Sequence, residues 1–295
     1  MKFITYKTVG LQRVGVLLED QSRFADLTVC GVAADIFEAI DVYMTKPDIV
    51  RAAVADAANH LELNTVQVLA PIPSPRRNIF CVGKNYMAHA MEFGTSGFDS
   101  SSTAGSEIPD MPIIFTKPPS SVIGPGDVIP RELDPYDSVD YEGELAVVIG
   151  KAGRVGADED PMDYVFGFTA VNDVTSRELQ KRHKQWVLGK GIDGFCPMGP
   201  VIVAKDSIAE LGAVTIKTWV NGELRQSAAL SQLIFDIPRL IKDIGRSISL
   251  QPGDIIATGT PEGVGIGFKP PRYLKKGDVV RVEASHIGAI ENEVG

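Results

Sequence analysis

The chain has 295 residues, of which 44% are hydrophobic and 23% charged; this composition supports a packed core and excludes a mainly disordered protein. Its 38 acidic and 29 basic residues give a formal net charge of -9, which argues against nucleic acid or anionic lipid as a partner, because both favour basic surfaces. There is no apolar signal segment at the start and no apolar run long enough to span a bilayer, so we expect a cytoplasmic protein that binds no membrane.

The first predicted elements are strands. Two β-rich runs around a turn at Gly10 predict a hairpin, at residues 3–6 and 13–18. Residues 26–29 are a third candidate strand.

Two predicted helices follow the strands. Apolar residues at i, i+3 and i+4 predict helices over 33–45 and 47–60, and Pro47 suits the first turn of the second. A proline-rich connector comes next and marks a boundary. We therefore predict a small α/β accessory domain over residues 1–72 and a catalytic domain over 73–295.

The catalytic domain is predicted to be rich in strands. β-Forming runs punctuated by Gly and Pro recur at residues 78–82, 113–116, 145–149, 167–171, 198–203, 216–220, 254–257 and 279–283. The clearest helical patterns cover 175–184 and 233–244. Many strands with few helices predict an α+β class with a folded or barrel-like mixed sheet.

One segment of the catalytic domain has an unusual composition. Residues 94–110 are dominated by Gly, Ser and Thr, and an unstructured stretch of this length is either a functional lid or a disordered insert. Because it directly follows a candidate site segment, we favour the lid.

Several common catalytic classes lack their motifs in this chain. There is no GxSxG, HExxH or P-loop sequence, and the glycines of residues 263–267 have the wrong spacing for a dinucleotide site, so we expect them to shape a turn. The widely separated Cys30, Cys81 and Cys196 form neither a disulfide framework nor a metal-binding CxxC motif. We expect them to be buried thiols in a reducing compartment.

Acidic residues at two strand ends are candidates for a metal site. Glu142 and Glu144 lie two residues apart in a strand, so they share a face about 7 Å apart and repel unless a positive group lies between them. Asp173 ends a buried strand where a helix begins, so it is either an N-cap or a ligand. Three carboxylates without Cys or His suit Mg²⁺ or Mn²⁺. On spacing alone, a solvated charged strand face with an ordinary helix cap is the commoner arrangement.

A histidine and a glutamate form a second candidate pair. His89 and Glu92 share one face of a helical turn at i, i+3, and a carboxylate that orients an imidazole raises its basicity. Such a pair is how a water-activating base is built. A lone HxxE, however, is more often a surface ion pair.

Four further polar residues stand in suggestive places. Lys190 is flanked by glycines in an apolar stretch, which would leave room for a substrate to approach its ammonium group. Arg177 and Gln180 lie on the helix after the candidate aspartate, and Thr260 lies in a glycine-rich turn. Each of these alone is more often structural.

Taken together, these segments resemble the fumarylacetoacetate hydrolase family. The match covers about residues 76–295 and consists of CVGKNYMAHAMEF, DYEGELAVVIG, GFTAVNDVTSRELQ, WVLGKG, VNGELRQ, LIFDIPRLI and GDIIATGTPEGVG, in that order. The chain is similar to a long bacterial branch of hydrolases, isomerases and oxaloacetate decarboxylases. Residues 1–72 resemble the accessory domain of that branch more loosely. The resemblance implies a mixed β-roll catalytic domain, a homodimer, and a central Mg²⁺ or Mn²⁺.

The resemblance also implies roles for the candidate residues. The implied metal ligands are the three carboxylates Glu142, Glu144 and Asp173. The implied catalytic residues are His89 as a water-activating base, Glu92 as its orienting partner on a segment that orders with substrate, and Lys190 as a contact to the substrate oxygens. The implied substrate-binding residues are polar or cationic: Lys84, Tyr86, Arg177, Gln180 and Thr260.

Two departures from the family pattern bear on the substrate. A fourth carboxylate ligand of the animal enzyme is missing near the CVGKNY segment, as in bacterial members that act on acylpyruvates. Lys84 stands where several relatives carry Arg, and Lys lacks the bidentate fork that Arg offers a carboxylate.

The resemblance implies chemistry on a small 2-oxo acid. We expect a divalent-metal-dependent hydrolase that cleaves a C–C bond of an acylpyruvate-type 2,4-dioxo acid, such as fumarylpyruvate, through a metal-stabilised pyruvate enolate. Loss of CO₂ from oxaloacetate or a proton shift reaches the same enolate, so an oxaloacetate decarboxylase, or an isomerase or tautomerase, is the alternative. A non-catalytic member is disfavoured, because all the candidate residues are present.

Overall fold

The structure, a computed structural model, describes residues 1–97 and 108–295. Its strands are β1 (Lys2–Thr8), β2 (Leu11–Leu17), β3 (Arg23–Asp26), β4 (His60–Glu62), β5 (Gln67–Val68), β6 (Ile79–Gly83), β7 (Ile113–Lys117), β8 (Val122–Ile123), β9 (Val139–Asp140), β10 (Gly143–Ile149), β11 (Val165–Asn172), β12 (Thr175–Ser176), β13 (Cys196–Ala204), β14 (Thr215–Val220), β15 (Glu223–Ala229), β16 (Ile255–Ala257), β17 (Val279–Ala284) and β18 (Gly288–Glu293). Its α-helices are α1 (Ile36–Thr45), α2 (Pro47–Ala55), α3 (Met87–Thr95), α4 (Arg177–Arg182), α5 (Val187–Lys190) and α6 (Ile237–Gly245).

One large mixed sheet organises the molecule. In the described ranges it has twelve strands. Ten of them follow the path β4-β3-β2-β1-β13-β11-β10-β16-β6-β7, while β5 pairs with β1 and β8 pairs with β13. Most neighbours are antiparallel, whereas β16–β6 and β13–β8 are parallel. A second sheet, in the order β15-β14-β17-β18, lies against β10 and β11. The predicted α+β class, with a large mixed sheet and few helices, is confirmed.

The large sheet crosses the predicted domain boundary. β1 pairs with β13, where Lys2 lies opposite Val203, and the ring of Phe3 packs 5.0 Å from that of Phe166. The first 72 residues thus share a sheet and a core with the rest of the chain. The division between residues 72 and 73 stays a prediction.

The predicted N-terminal elements are confirmed except for the third strand. β3 ends at Asp26, whose side-chain oxygen accepts hydrogen bonds from the backbone N–H groups of Thr28 and Val29. This Asx turn reverses the chain where residues 26–29 were expected to be extended. α2 is shorter than expected, because Asp56 leaves the helix and caps the turn that follows.

The eight strands predicted in the catalytic domain are all present. The two-residue strands β8, β9 and β12 were missed, as were two longer strands, β15 and β18. Both are polar strands of the smaller sheet with alternating burial. Their buried positions include the amides Gln226 and Asn292, so the apolar alternation that identifies a strand is broken.

The pairing of β10 with β11 brings the candidate metal ligands together. Both strands are buried along their whole length. In the antiparallel register Gly143 lies opposite Asn172, so the start of β10 lies beside the end of β11. The acidic residues at these two strand ends therefore meet, although the sequence separates them by a full connection.

The prediction of buried cysteines is correct for two of the three, because Cys30 is only partly buried. All three thiols are free, and Cys81 and Cys196 are buried. Burial raises the pKa of the Cys196 thiol to about 12, so it stays protonated and unreactive. Within the described ranges, no helix is both long and apolar enough to cross a membrane.

Candidate functional site

Three buried carboxylates form the centre of the site. Glu142 immediately precedes β10, Glu144 is within it, and Asp173 immediately follows β11. Each offers one oxygen atom to a group whose members lie within 4.8 Å of one another. At most 5% of any of the three is exposed, so the solvated charged face considered from the sequence is wrong.

The helix-cap alternative for Asp173 is also wrong. The N-cap of α4 is Ser176, whose hydroxyl accepts a hydrogen bond from the N–H of Leu179. The Asp173 carboxylate instead faces two ammonium groups. Its Oδ1 lies 2.6 Å from Lys117 Nζ and its Oδ2 lies 2.7 Å from Lys190 Nζ.

Cations supply the positive charge that the paired glutamates require. Lys190 Nζ lies 2.7 Å from Glu142 Oε2, and Arg177 Nη1 lies 2.7 Å from Glu142 Oε1. Burial alone would raise the pKa of Glu142, but the charges of Lys190 and Arg177 outweigh it and lower that pKa to about 2. Glu142 is therefore an anion at any physiological pH.

The charge state of Lys190 decides what it can do. Burial tends to lower the pKa of its ammonium group, but the charges of Asp173 and Glu142 outweigh burial and raise it. Lys190 is thus a permanent cation and acts by electrostatic attraction, not as a base.

The charge of Glu144 is only partly compensated, because Lys190 favours its ionised form less than burial and the neighbouring carboxylates oppose it. Its carboxylate accepts a hydrogen bond from the N–H of Gly259 at 2.8 Å. Burial, with the charges of Asp173 and Glu142, holds the pKa of Glu144 well above its usual range. All the donor atoms of this group are oxygens, and the negative charge of Glu144 is not fully balanced. Such a group fits a hard divalent cation, which would compensate that charge.

A pH dependence follows for the metal-free protein. A carboxyl group with a raised folded-state pKa contributes stability that is fully present below the unfolded-state pKa and lost as the pH rises through the folded-state value. We therefore expect the Tm of metal-free protein to fall from mildly acidic to mildly alkaline pH. Glu144→Gln keeps an acceptor for the N–H of Gly259 but has no proton to lose. In this variant the part of the Tm decline that is due to Glu144 should be absent. Thermal unfolding of EDTA-treated samples across this range measures it, and parallel curves for the two proteins would contradict the assignment.

The histidine–glutamate pair lies on α3 as predicted. Glu92 Oε2 is 3.4 Å from His89 Nδ1, and both residues project from one face of the helix. The N–H of Gly263 donates to both oxygens of Glu92, at 3.1 and 3.2 Å. His89 is buried, so the commoner alternative of a surface ion pair is wrong.

A narrow cavity lies between His89 of the pair and Glu142 of the carboxylate cluster. The candidate residues that line it are Lys84, His89, Glu142, Arg177, Gln180, Lys190 and Thr260. Within the described ranges, Tyr86 does not line this cavity. Its hydroxyl is buried and has no hydrogen-bond partner among the described residues.

The substrate-binding candidates differ in what they can still offer. Gln180 accepts a hydrogen bond from Arg177 Nη1, whereas Arg177 Nη2 is buried without a partner in the described part of the chain. Thr260 donates its hydroxyl proton to the carbonyl of Gly143 and accepts from Gln226, so only a remaining lone pair could face a ligand. These roles, like that of Lys84, stay predictions.

The glycines beside Lys190 have a different purpose from the one expected. A Cβ at Gly189 would lie 2.5 Å from the backbone nitrogen of Gln180, and one at Gly191 would lie 2.8 Å from Pro118 Cδ. They make room for the packing of α5 on its neighbours, and not for a substrate.

Two residues of the site were missed from the sequence. Lys117, at the end of β7, is fully buried and donates to Asp173, to Val174 O and to Lys190 O. Asp140, just before the paired glutamates, binds Arg177 Nε at 2.9 Å. The only signal for Lys117 was a lone cation at the end of an apolar strand, and no spacing rule connects it to Asp173.

The predicted lid cannot be placed. Of residues 94–110, the first two close α3 and residues 98–107 lie outside the described ranges. The lid stays a prediction.

Comparisons with known proteins show what the chain is similar to. Residues 78–295 match the family model described as fumarylacetoacetate hydrolase, C-terminal. The chain is 49% identical over 233 residues to oxaloacetate tautomerase YisK of Bacillus subtilis, covering 79% of this chain and 74% of that protein. It is similar to the structure of a fumarylacetoacetate hydrolase from Exiguobacterium antarcticum, with a TM-score of 0.83, 40% identity, and coverage of 100% of this chain and 99% of that one. It is also similar to a Sphingobium maleylpyruvate hydrolase in complex with manganese(II) and pyruvate, with a TM-score of 0.78, 30% identity, and coverage of 100% and 98%.

Proposed function

The chain belongs to the fumarylacetoacetate hydrolase family, and on that premise we propose that it is a divalent-cation-dependent tautomerase of a small 2-oxo diacid, with oxaloacetate as the substrate. Hydrolysis of an acylpyruvate, expected first from the sequence, becomes the second candidate. The proposal follows the name of a relative that is 49% identical over most of both chains.

One observation carries the proposal: a small cavity brings together an acid–base pair, a carboxylate cluster and several cations. Lys84 and Arg177 line it in addition to Lys190, which suits a substrate with more than one negative group. A small diacid meets this requirement.

The cluster defines where a cation would be held. Glu142, Glu144 and Asp173 would bind Mg²⁺ or Mn²⁺, in keeping with the manganese in the maleylpyruvate hydrolase structure. When bound, such an ion supplies Lewis-acid polarisation of the 2-oxo oxygen.

The protein's own residues then bind the substrate and move one proton. Arg177, whose Nη2 is buried without a partner in the described ranges, binds a substrate carboxylate. Neutral His89 accepts the proton of the enol hydroxyl, and the imidazolium returns a proton to C3, so the substrate gains and loses one proton in total. Glu92 stabilises the imidazolium from 3.4 Å, and the Lys190 cation stabilises negative charge on the substrate oxygens.

Hydrolysis is favoured by a separate observation. A relative that covers the whole chain is named a maleylpyruvate hydrolase, and its structure contains pyruvate. The same His89–Glu92 pair would take a proton from water, which would attack the distal carbonyl of an acylpyruvate. The two reactions differ in the substrate and in the need for water.

A comparison of substrates tests the proposal. Purified protein with Mg²⁺ or Mn²⁺ is offered enol-oxaloacetate, acetylpyruvate and fumarylpyruvate, and enol loss, CO₂ release and C–C hydrolysis are followed separately. We expect enol loss faster than in buffer, without CO₂ release, and abolished by EDTA. No acceleration of enol loss would reject the tautomerase; hydrolysis or CO₂ release in its place would assign the second candidate or a decarboxylase.

The assembly is a further part of the proposal. We propose a homodimer that binds neither nucleic acid nor membrane, in keeping with a net charge of -9. Light scattering of the purified protein tests the dimer.

A further inference from the structure

We propose that the glycine-rich turn of residues 263–267 is a positioning element that holds Glu92 and Asp140, and that Gly267 is glycine so that the Glu92 carboxylate can lie beside His89. The role in catalysis rests on the proposed function, in which His89 moves the proton. The turn was expected from the sequence only to reverse the chain. Its contacts indicate that it also positions side chains of the site.

The first contact of the turn is with the histidine–glutamate pair. The backbone N–H of Gly263 donates to both oxygens of Glu92, which in turn lies 3.4 Å from His89 Nδ1. The turn and α3 are 171 residues apart in the chain. The position of the orienting carboxylate therefore depends on a distant loop as well as on its own helix.

Space at Gly267 is what admits the Glu92 side chain. A Cβ built on Gly267 would lie 1.9 Å from Glu92 Oε1 and 2.4 Å from its Cδ. Gly267 has no left-handed φ, so alanine is allowed by its backbone and would act through this collision. Gly263 differs, because its φ is +97° and a Cβ there would lie 1.9 Å from the carbonyl oxygen of Arg225.

The second contact of the turn is with Asp140, which leads to the carboxylate cluster through Arg177. The N–H groups of Gly265 and Ile266 donate to Asp140, at 2.6 and 3.1 Å. Asp140 holds Arg177 Nε, and Arg177 Nη1 lies 2.7 Å from Glu142. One short turn thus fixes both the acid–base pair and the arginine of the cluster. A methyl group at position 267 is expected to disturb only the first of these, since Asp140 is held by other residues of the turn.

Gly267→Ala tests the proposal. Misplacing a catalytic group by about 1 Å can cost about 100-fold in rate, so we expect kcat to fall by about 10- to 100-fold with KM and Mn²⁺ affinity little changed. The matched control is Gly212→Ala: Gly212 also lies in a 3-10 turn without a left-handed φ, and its Cβ would meet only Ser231 Cβ, at 3.8 Å. We expect wild-type behaviour from the control.

A double mutant separates action through Glu92 from general damage. In a Glu92→Ala background there is no carboxylate to displace, so adding Gly267→Ala should not lower kcat further. Losses that multiply in the double mutant would overturn the proposal.

A spectroscopic measurement tests the positioning role without relying on enzyme activity. The ¹⁵N shifts of the His89 ring, assigned with His89→Asn, should change in Gly267→Ala as they do in Glu92→Ala, and should not change in Gly212→Ala. If the wild type catalyses none of the reactions tested but these shifts change, the proposed function fails and the positioning role stands. Unchanged shifts in Gly267→Ala overturn the positioning role whatever the activity.

Discussion

Asp173→Ala is expected to abolish divalent-cation binding and to lower the free energy of unfolding by about 3–5 kcal/mol, the cost of breaking a buried ion pair. Asp173 contacts Lys117 through one oxygen and Lys190 through the other, and all three side chains are buried. Lys190 keeps Glu142 as a partner, whereas within residues 1–97 and 108–295 Lys117 keeps only backbone carbonyl groups. The variant therefore leaves an uncompensated ammonium group in the core. Chemical denaturation and calorimetric titration with Mn²⁺ measure the two losses.

Two further variants make this prediction specific. Asp173→Ala combined with Lys117→Met removes both members of the pair and should recover much of the stability but none of the cation binding. Glu144→Gln should lose cation binding without a comparable loss of stability, because the charged form of Glu144 is already disfavoured in the fold. Equal destabilisation by Glu144→Gln and Asp173→Ala would contradict this account of the charges.

His89→Ala is expected to lower kcat by about 10²- to 10⁴-fold, the usual contribution of a positioned acid–base group. The cation ligands are other residues, so Mn²⁺ affinity should be unchanged. His183→Ala is the matched control, since His183 is an exposed histidine outside the cavity. Steady-state kinetics on oxaloacetate and acetylpyruvate make the measurement.

The His89 variant also distinguishes reaction types. Tautomerisation and hydrolysis both need a proton carrier, whereas loss of CO₂ from oxaloacetate needs only the cation site and Lys190. If His89→Ala retained full tautomerase and hydrolase turnover, the histidine–glutamate pair would have no part in catalysis. If it retained only CO₂ release, the site would be a decarboxylase that uses the cluster without the pair.

Short-range spacing predicted a large part of the site. A two-residue spacing in a strand places Glu142 and Glu144 on one face, and a three-residue spacing in a helix places His89 beside Glu92. Both patterns depend only on local backbone geometry, so they survive in the structure. The class of chemistry expected of these residues came from the resemblance of seven ordered segments, and not from spacing.

Charge and packing could not be predicted in the same way. Lys117 lies 56 residues from Asp173 in the chain, yet their charged groups are 2.6 Å apart. The cap alternative for Asp173 was excluded by Ser176, which occupies the cap position. The glycines beside Lys190 proved to serve helix packing.

The sequence by itself determined the strand-rich class, the main elements and the identity of the candidate ligands, because these depend on composition and on periodicities of a few residues. Only the tertiary structure decided which charges meet, that Glu142 is ionised while Glu144 resists ionisation, and that the turn of residues 263–267 holds Glu92. The physical reason is that Coulomb energies, desolvation and close packing depend on distances through space. In this protein those distances are set by strand pairing between segments that are far apart in the chain.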